Sequence, residues 1–268
     1  MDNDYRQVLK NLRAHKRLGQ NFLVNADIAK AEAEYARNRV VVELGPGLGI
    51  LTRELSAVAK RVIAIEKDKR LFDMLSYDLH ARNVTLVNSD FFAADERTFT
   101  GAEIMVSNVP YNLSSKVLMW LAGRRLEAVL CLQKEFVEHM LAKPGTRKYS
   151  RLSVVSALQF RVSQIMNVGR NNFYPVPRVD SALVHLGVKN VHIEPRASAM
   201  LALLMEHKKK LVRNAVIDSS KELYLSKEEA ARIAGMMRSS NARVFKMGPE
   251  ELLAAATELA DMVHRSNE

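Results

Sequence analysis

The sequence of 268 residues predicts an α/β fold, in which a doubly wound, mostly parallel sheet with an antiparallel edge is followed by a small all-helical domain. Short Val- and Ile-rich runs alternate with amphipathic stretches between residues 39 and 133, which is typical of parallel strands joined by helices. Two further β-rich runs then follow without a long helix between them. After about residue 190 the sequence contains only helical patterns.

Five apolar runs are the predicted parallel strands, because their near-continuous aliphatic residues indicate burial on both faces of a sheet. These runs are "RVVVEL" (39–44), "RVIAIE" (61–66), "VTLV" (84–87), "EIMVSN" (103–108) and "EAVLCLQ" (127–133). The stretches "GILTRELSAVA", "DKRLFDMLSYDLHA" and "LSSKVLMWLAG" between them are amphipathic and predict helices.

The next two β-rich runs predict an antiparallel hairpin at the sheet edge. They are "FRVSQIMNVG" (160–169) and "SALVHLGVK" (181–189), joined by the loop "RNNFYPVPRVD". Three helical stretches follow, and "SKEE" and "GPEE" are typical helix starts with acids in the first turn. The sequence therefore predicts a sheet domain over residues 1–188 and a helical domain over residues 189–268.

The charge balance favours a polyanionic partner. Forty Lys and Arg residues against thirty Asp and Glu residues give a net charge of +10 and an isoelectric point near 9.7. Such a surface attracts nucleic acid or an anionic membrane, and we favour nucleic acid. Each basic cluster has the alternative interpretation of a solvated helix face. The clusters are "LKNLRAHKRLG" (9–19), "KPGTRKYSR" (143–151), "HKKKLVR" (207–213) and "RSSNARVF" (238–245).

Several other classes of function are disfavoured by the composition. The single cysteine, Cys131, cannot form an internal disulfide and lies in the apolar run "AVLCLQ", where a core residue is expected. The seven histidines show no metal-ligand spacing, so we expect no metal site. No apolar run has the length of a membrane helix, and the N-terminus does not resemble a signal peptide. We therefore expect a cytoplasmic protein that does not bind a membrane.

Three successive strand ends carry residues typical of a nucleoside pocket. Gly45, Gly47 and Gly49 follow the first strand, Glu66 ends the second, and Asp90 follows the third. Glycines allow a tight turn and close approach of a ligand, and an acid about 20 residues further on commonly binds ribose hydroxyls. Asp90 is placed to bind an adenine amino group. The alternative interpretation is that Glu66 and Asp90 are only helix caps.

The glycine spacing points to a ligand without a pyrophosphate. The sequence has G-x-G-x-G, whereas dinucleotide folds have G-x-G-x-x-G, so a nicotinamide enzyme is disfavoured. S-adenosylmethionine is a nucleoside ligand that lacks a pyrophosphate, and it is the predicted cofactor.

The segment "SNVPY" (107–111) follows the fourth strand and therefore opens on the same sheet edge. It resembles the [N/D/S]-P-P-[Y/F] signature of methyltransferases that act on exocyclic amines. The Asn108 side-chain oxygen and a backbone carbonyl, assigned to Pro110, are suited to accept the two N–H bonds of an adenine amine. Tyr111 offers a ring on which the base can stack. An ordinary strand-to-helix turn is the alternative interpretation.

Seven segments in this order resemble the KsgA-type ribosomal RNA adenine dimethyltransferases, with their archaeal and eukaryotic Dim branch. The resemblance covers residues 13–188. It rests on "LGQNFL" (18–23), "ELGPGLG" (43–49), "IEKD" (65–68), "SDFF" (89–92), "NVPYNLSS" (108–115), "LQKE" (132–135) and "FYPVPRVDSALV" (173–184).

The resemblance implies a Rossmann-like class I methyltransferase sheet and assigns roles to individual residues. The implied cofactor contacts are Asn21, Leu23, Gly45, Gly47, Glu66, Asp90 and Asn108. The implied base-clamping aromatics are Tyr111 and Phe173. "VGRNNF" lacks the prolines that many relatives carry before this aromatic, so Tyr174 is a neighbouring alternative to Phe173.

The resemblance also implies the substrate. Such enzymes methylate each of two adjacent adenosines near the 3′ end of small-subunit rRNA twice, on an assembling ribosomal particle, and we expect a monomer. One alternative is a resistance-type methyltransferase acting on large-subunit rRNA. A second alternative, from a different class, is a non-catalytic RNA-binding assembly or transcription factor built on the same fold.

Overall fold

The computed structural model describes residues 20–266, and the chain divides into two compact units. The sheet unit contains residues up to 137 together with 161–188, and the helical unit contains residues 138–160 and those from 189 onward. The basic cluster at residues 9–19 lies outside the described residues, as do Leu18 and Gly19 of "LGQNFL".

The strands form a seven-stranded sheet in the order β4-β3-β2-β5-β6-β9-β7 and a two-stranded sheet of β1 and β8. β2 to β6 are parallel, and β9 runs antiparallel to β6, so the predicted mostly parallel sheet with an antiparallel edge is confirmed. The strands are β1 (Phe22–Leu23), β2 (Val40–Leu44), β3 (Arg61–Glu66), β4 (Val84–Asn88), β5 (Ile104–Asn108), β6 (Glu127–Gln133), β7 (Phe160–Val168), β8 (Phe173–Tyr174) and β9 (Ser181–Val188).

The strand order reverses direction between β2 and β5, and this reversal positions the site. The chain proceeds from β2 outward to β3 and β4, then returns to place β5 on the other side of β2. In open parallel sheets a crevice forms at such a switch point, beyond the carboxyl ends of the strands. The central strands are buried on both faces, as their aliphatic runs predict.

Ten α-helices lie within residues 20–266. They are α1 (Ala26–Ala33), α2 (Ile50–Val58), α3 (Lys69–Asp78), α4 (Ser114–Arg124), α5 (Lys134–Met140), α6 (Arg151–Gln159), α7 (Pro195–Glu206), α8 (Val212–Asp218), α9 (Lys227–Met236) and α10 (Pro249–Ser266). None of them is long and apolar enough to cross a membrane.

In the helical unit α10 packs against α7 and α6, and α8 packs against α9. The "SKEE" start is confirmed, because Ser226 and Glu229 form a reciprocal capping box at the beginning of α9. Tyr149 is buried, its hydroxyl donates to the Met247 carbonyl at 3.0 Å, and its own carbonyl accepts a bond from Lys208 Nζ. These bonds connect residues 138–160 to the C-terminal helices.

The first of the three helical stretches predicted after residue 190, "ASAMLALLMEHKKKLVRNAVIDSS" (197–220), is interrupted at "HKKK". α7 ends at Glu206 and α8 begins at Val212. The carbonyls of Lys208 and Lys210 accept the N–H groups of Phe245 and Val244. Those bonds come from a segment distant in sequence, so they replace the helical pairing that the local pattern predicts.

The burial of Leu130 in the core of the sheet unit predicts how a substitution there changes the free energy of unfolding. Leu130 is fully buried in β6, which is paired on both sides with β5 and β9. Leu130→Ala is expected to lower the free energy of unfolding by about 3 kcal/mol, because it removes buried apolar atoms and leaves a cavity. Chemical denaturation measures the change, with Tyr77→Ala at an 82% exposed side chain as the control. Equal stability of the two variants would contradict the assigned core.

Candidate functional site

A cavity opens at the carboxyl ends of β2 to β5 in the sheet unit. Nearly all the residues that the sequence assigned to the site line it. These are Asn21, Gly45, Gly47, Glu66, Asp90, Asn108, Pro110, Tyr111 and Phe173. The chain segments that carry them are far apart in sequence, and the parallel sheet brings their ends together.

The glycine loop needs glycine for its backbone conformation. Gly45, Gly47 and Gly49 have φ values of 67°, 58° and 79°, in the left-handed region. A Cβ atom on Gly47 would lie 2.9 Å from Cδ1 of Phe22. The loop therefore presents a bare backbone to the cavity, and a side chain at Gly47 would displace the Phe22 ring.

Glu66 anchors this loop. Its side chain is buried, Oε2 accepts the Gly47 N–H at 3.1 Å, and Oε1 accepts the Asp68 N–H at 2.8 Å. Burial raises the pKa of Glu66, and the two backbone bonds act in the opposite direction. A carboxylate has about four acceptor positions, so Glu66 retains acceptor capacity toward the cavity. The helix-cap interpretation fails for Glu66, since Asp68 is the residue that caps α3.

Asp90 has a structural role as well as a place in the cavity wall. Its Oδ1 accepts the Phe92 N–H at 2.9 Å and caps a short 3₁₀ turn. Lys67 Nζ donates to Oδ2 at 2.8 Å, and this bond is the main reason that the pKa of Asp90 is lowered. Asp90 is therefore an ionised acceptor in the wall of the cavity.

One end of the Asn108 amide has a hydrogen-bond partner, and the other end has none among the described residues. Its Nδ2 donates to Oε2 of Glu32 at 3.0 Å, whereas its Oδ1 is buried and has no partner among the described residues. A buried acceptor without a partner costs free energy, so this oxygen is suited to receive a donor from a ligand. The Pro110 carbonyl accepts the Leu113 N–H at 2.8 Å and keeps one lone pair for a second donor.

The two aromatic residues predicted to clamp the base, Tyr111 and Phe173, both line this cavity. The Tyr111 hydroxyl and Ser181 Oγ form a hydrogen bond of 2.8 Å, which orients the ring, and burial raises the pKa of Tyr111. Phe173 is 4% exposed and lines the cavity. Tyr174 is 36% exposed and does not line it, so the structure places Phe173 rather than Tyr174 at this wall.

This arrangement of glycine loop, acids, asparagine turn and aromatics occurs in a chain whose sequence matches a known family. The sequence profile of the family described as "Ribosomal RNA adenine dimethylase" matches residues 11–249. The chain belongs to this family. The resemblance drawn from the seven sequence segments is thereby confirmed.

Curated archaeal relatives of this dimethylase chain are similar over almost their full length. A protein of Thermococcus gammatolerans is 38% identical over 94% of this chain and 91% of its own length. A protein of Methanopyrus kandleri is 36% identical over 93% of this chain and 94% of its own length. Both are named "Probable ribosomal RNA small subunit methyltransferase A".

Two solved structures share the fold of this dimethylase. A dimethyladenosine transferase from Plasmodium falciparum aligns with a TM-score of 0.73 and 25% identity, over 90% of this chain and 98% of its own. The 23S rRNA methyltransferase ErmE aligns with a TM-score of 0.57 and 29% identity, over 89% of this chain and 99% of its own. The predicted class I methyltransferase sheet is confirmed by the first of these likenesses.

Two predicted cofactor contacts of the dimethylase lie near β1. Asn21 lines the cavity. Leu23 does not; its side chain is buried in the core, and it lies opposite Phe173 in the pair of β1 and β8. Leu23 lines a smaller adjoining pocket together with Asn21 and the glycine loop. The structure therefore places Asn21, but not Leu23, at the main cavity.

Two buried acids that do not line the main cavity were not predicted from the sequence. Glu32 is on α1 and Glu43 on β2, and burial raises the pKa of both, that of Glu43 to about 8. Thr52 Oγ1 donates to Glu43 at 2.8 Å. The helical spacing held a signal for Glu32, because Ala29, Ala33 and Ala36 share its face of the chain and are buried.

Three of the four basic clusters lie together in the helical unit. The Gly145 N–H donates to the Phe245 carbonyl, and Arg243 donates to the Lys209 carbonyl, so the segments 143–151, 207–213 and 238–245 adjoin one another. Exposed side chains include Arg147, Lys209 and Arg213. Such a surface suits contact with phosphates. Within residues 20–266 no group of His, Cys, Asp and Glu side chains is arranged to hold a metal ion.

Proposed function

We propose that this protein is an S-adenosylmethionine-dependent rRNA adenine dimethyltransferase. Its substrate is the pair of adjacent adenosines near the 3′ end of small-subunit rRNA, and it acts as a cytoplasmic monomer on the assembling subunit. The observation that carries the proposal is that Asn108, whose buried Oδ1 has no hydrogen-bond partner among the described residues, lines the same cavity as the glycine loop and Glu66. Membership of the rRNA adenine dimethylase family supports it.

The residues of the cavity fit S-adenosylmethionine. Gly45 and Gly47 line the cavity, and no atom lies within 4 Å of the position that a Cβ on Gly45 would take, so a ligand can approach this backbone closely. Glu66 retains acceptor positions suited to ribose hydroxyls. Asp90 is suited to accept a bond from the adenine amino group, and Asn21 lines the same cavity. When bound, this cofactor supplies an electrophilic methyl group.

The asparagine turn is suited to orient the amine that is methylated. An adenine amine is a weak nucleophile because its lone pair is delocalised into the ring. Asn108 Oδ1 and the Pro110 carbonyl accept hydrogen bonds from its two N–H groups, and this directs the nitrogen lone pair away from the ring plane. A strong base is not required, because the amine becomes more acidic as it gains a bond. Positioning and electrostatic stabilisation therefore account for most of the rate.

The relatives favour a small-subunit substrate over a large-subunit one. Archaeal proteins named as small-subunit methyltransferases are 36–38% identical over at least 90% of this chain. The likeness to ErmE, whose name gives 23S rRNA as its substrate, keeps the large-subunit alternative as an outcome to be tested. A non-catalytic RNA-binding role is disfavoured because Asn108, Pro110 and Tyr111 all line the cavity.

Labelled S-adenosylmethionine and unmethylated ribosomal subunits test this function. We expect label in small-subunit particles, and mapping should place it as dimethyl groups on two adjacent adenosines near the 3′ end. Free small-subunit rRNA serves as a parallel substrate and tests the requirement for a particle. Label confined to large-subunit rRNA, or no label in any RNA, would contradict the proposal.

Two substitutions of Tyr111 are expected to lower the methylation activity to different extents. Tyr111→Phe removes the bond to Ser181 and keeps the ring, so activity is expected to fall by less than roughly fivefold, the loss of one ordinary hydrogen bond. Tyr111→Ala removes the stacking surface and is expected to lower kcat/KM by roughly 10- to 100-fold. Steady-state methylation kinetics distinguish the two. Equal activities of the Phe and Ala variants would contradict a stacking role.

A further inference from the structure

The amide of Asn108 is held from behind by a buried acid. Glu32 Oε2 accepts the Asn108 Nδ2–H bond at 3.0 Å, across 76 residues of sequence. Glu32 is 0% exposed and is not part of the cavity wall. It therefore bonds the proposed catalytic asparagine from outside the cavity lining.

An asparagine amide has two chemically different ends, and only one of them suits an amine substrate. Its oxygen accepts, whereas its NH₂ group donates. If the Asn108 amide were rotated by 180°, two N–H donors would face the two N–H donors of an adenine amine. Glu32 Oε2 accepts a hydrogen bond from the NH₂ group and so fixes the orientation of the amide. Oδ1 is the end without a partner in the part of the chain that the structure describes.

The burial of the Glu32 carboxyl is not explained by a contribution to folding stability. It lies among buried alanines on α1, and no cation forms an ion pair with it in the described part of the chain. Burial raises the pKa of Glu32 well above its usual range, with the Glu43 carboxyl acting in the same direction. Burying a carboxyl without an ion pair costs free energy, and an apolar residue would fill this space at lower cost. Residues that break a local rule in this way are expected near functional sites.

We propose that Glu32 is a positioning residue, which fixes the Asn108 amide so that Oδ1 faces the amine to be methylated. This inference rests on the proposed function of the cavity. Glu32 itself contacts neither substrate nor cofactor. What it supplies is one acceptor oxygen at a fixed point, so a side chain of the same shape that also offers an oxygen should replace it.

Two substitutions at Glu32 separate the positioning role from a structural one. Glu32→Leu removes the acceptor and keeps the volume, and it is expected to lower kcat by roughly tenfold with little change in the KM for RNA, since a lost buried hydrogen bond releases the amide. Glu32→Gln offers an oxygen at the same place and is expected to retain most of the wild-type kcat. Methylation kinetics on small-subunit particles, together with thermal melting, provide the measurements.

Thr52→Val is the matched control, because it removes another buried hydrogen bond to a carboxyl, that of Glu43. It is expected to lower Tm without changing kcat. A folded Glu32→Leu protein with wild-type kcat would overturn the inference, and so would a Glu32→Gln protein as slow as Glu32→Leu. If wild-type protein does not methylate adenosine at all, the proposed function fails instead.

Nuclear magnetic resonance of the wild-type protein provides a test that does not depend on variants folding. The Asn108 side-chain NH₂ protons are expected to exchange slowly with solvent, because one of them is bonded to a fully buried oxygen. Rapid exchange of both protons would overturn the inference.

Discussion

Asn108→Ala is expected to reduce methyl transfer by roughly 100- to 1000-fold, the loss typical when one preorganised polar contact to a reacting group is removed. The substitution removes the buried, unpartnered Oδ1, which is the acceptor proposed for the substrate amine. The Pro110 carbonyl remains but cannot orient the amine alone. RNA affinity should be largely unchanged, because the basic clusters described lie in the helical unit. Labelled methyl transfer and filter binding of RNA measure the two effects separately.

The matched control for Asn108 is Asn167→Ala. Asn167 is an asparagine in β7 whose side chain bonds Gln164 and does not line the cavity. Its loss should leave methylation unchanged. Methyl transfer that survived Asn108→Ala would refute the assigned mechanism. Simultaneous loss of RNA affinity would show instead that the substitution had disrupted more than the site.

Glu66→Ala is expected to weaken S-adenosylmethionine binding by roughly 100-fold. Hydrogen bonds to charged groups contribute about 1.5–3 kcal/mol each, and the carboxylate is proposed to bind ribose hydroxyls while it holds the Gly47 and Asp68 N–H groups. Glu66→Gln keeps the shape but has a single acceptor oxygen, so an intermediate loss is expected. Isothermal titration calorimetry of the cofactor measures all three proteins.

Glu103→Ala is the matched control for Glu66. Glu103 Oε2 also accepts a backbone N–H, that of Val40 at 2.7 Å, but at the amino end of β2. Its removal should leave cofactor affinity unchanged, since the cavity is at the other end of the strand. A dissociation constant of Glu66→Ala within about threefold of the wild-type value would rule out the proposed ribose contact.

The sheet and most of its strands were predictable from the sequence because burial on both faces imposes a continuous aliphatic pattern. "RVIAIE" becomes β3 at residues 61–66, and "EAVLCLQ" becomes β6 at residues 127–133, with the predicted bounds. The interruption between α7 and α8 was not predictable, since the N–H groups that bond the carbonyls of Lys208 and Lys210 come from a distant segment. Local propensity carries no information about such partners.

The location of the site was also predictable, because the carboxyl ends of parallel strands must meet at one edge. That rule alone brings Gly47, Glu66, Asp90 and Asn108 to one cavity. It does not determine which of two adjacent aromatics faces inward. Phe173 and Tyr174 lie on opposite faces of β8, and the pairing of β8 with β1 decides that Phe173 is the buried one.

The sequence by itself therefore determined the family, the succession of strands and helices along the chain and the residue types at the strand ends, since these depend on patterns that are local in the chain. Only the tertiary structure decided which end of the Asn108 amide lacks a hydrogen-bond partner within residues 20–266. That choice depends on Glu32, which lies 76 residues earlier and approaches Asn108 only after α1 packs in the core. The orientation of a side chain is set by its partners in space, and the sequence does not name those partners.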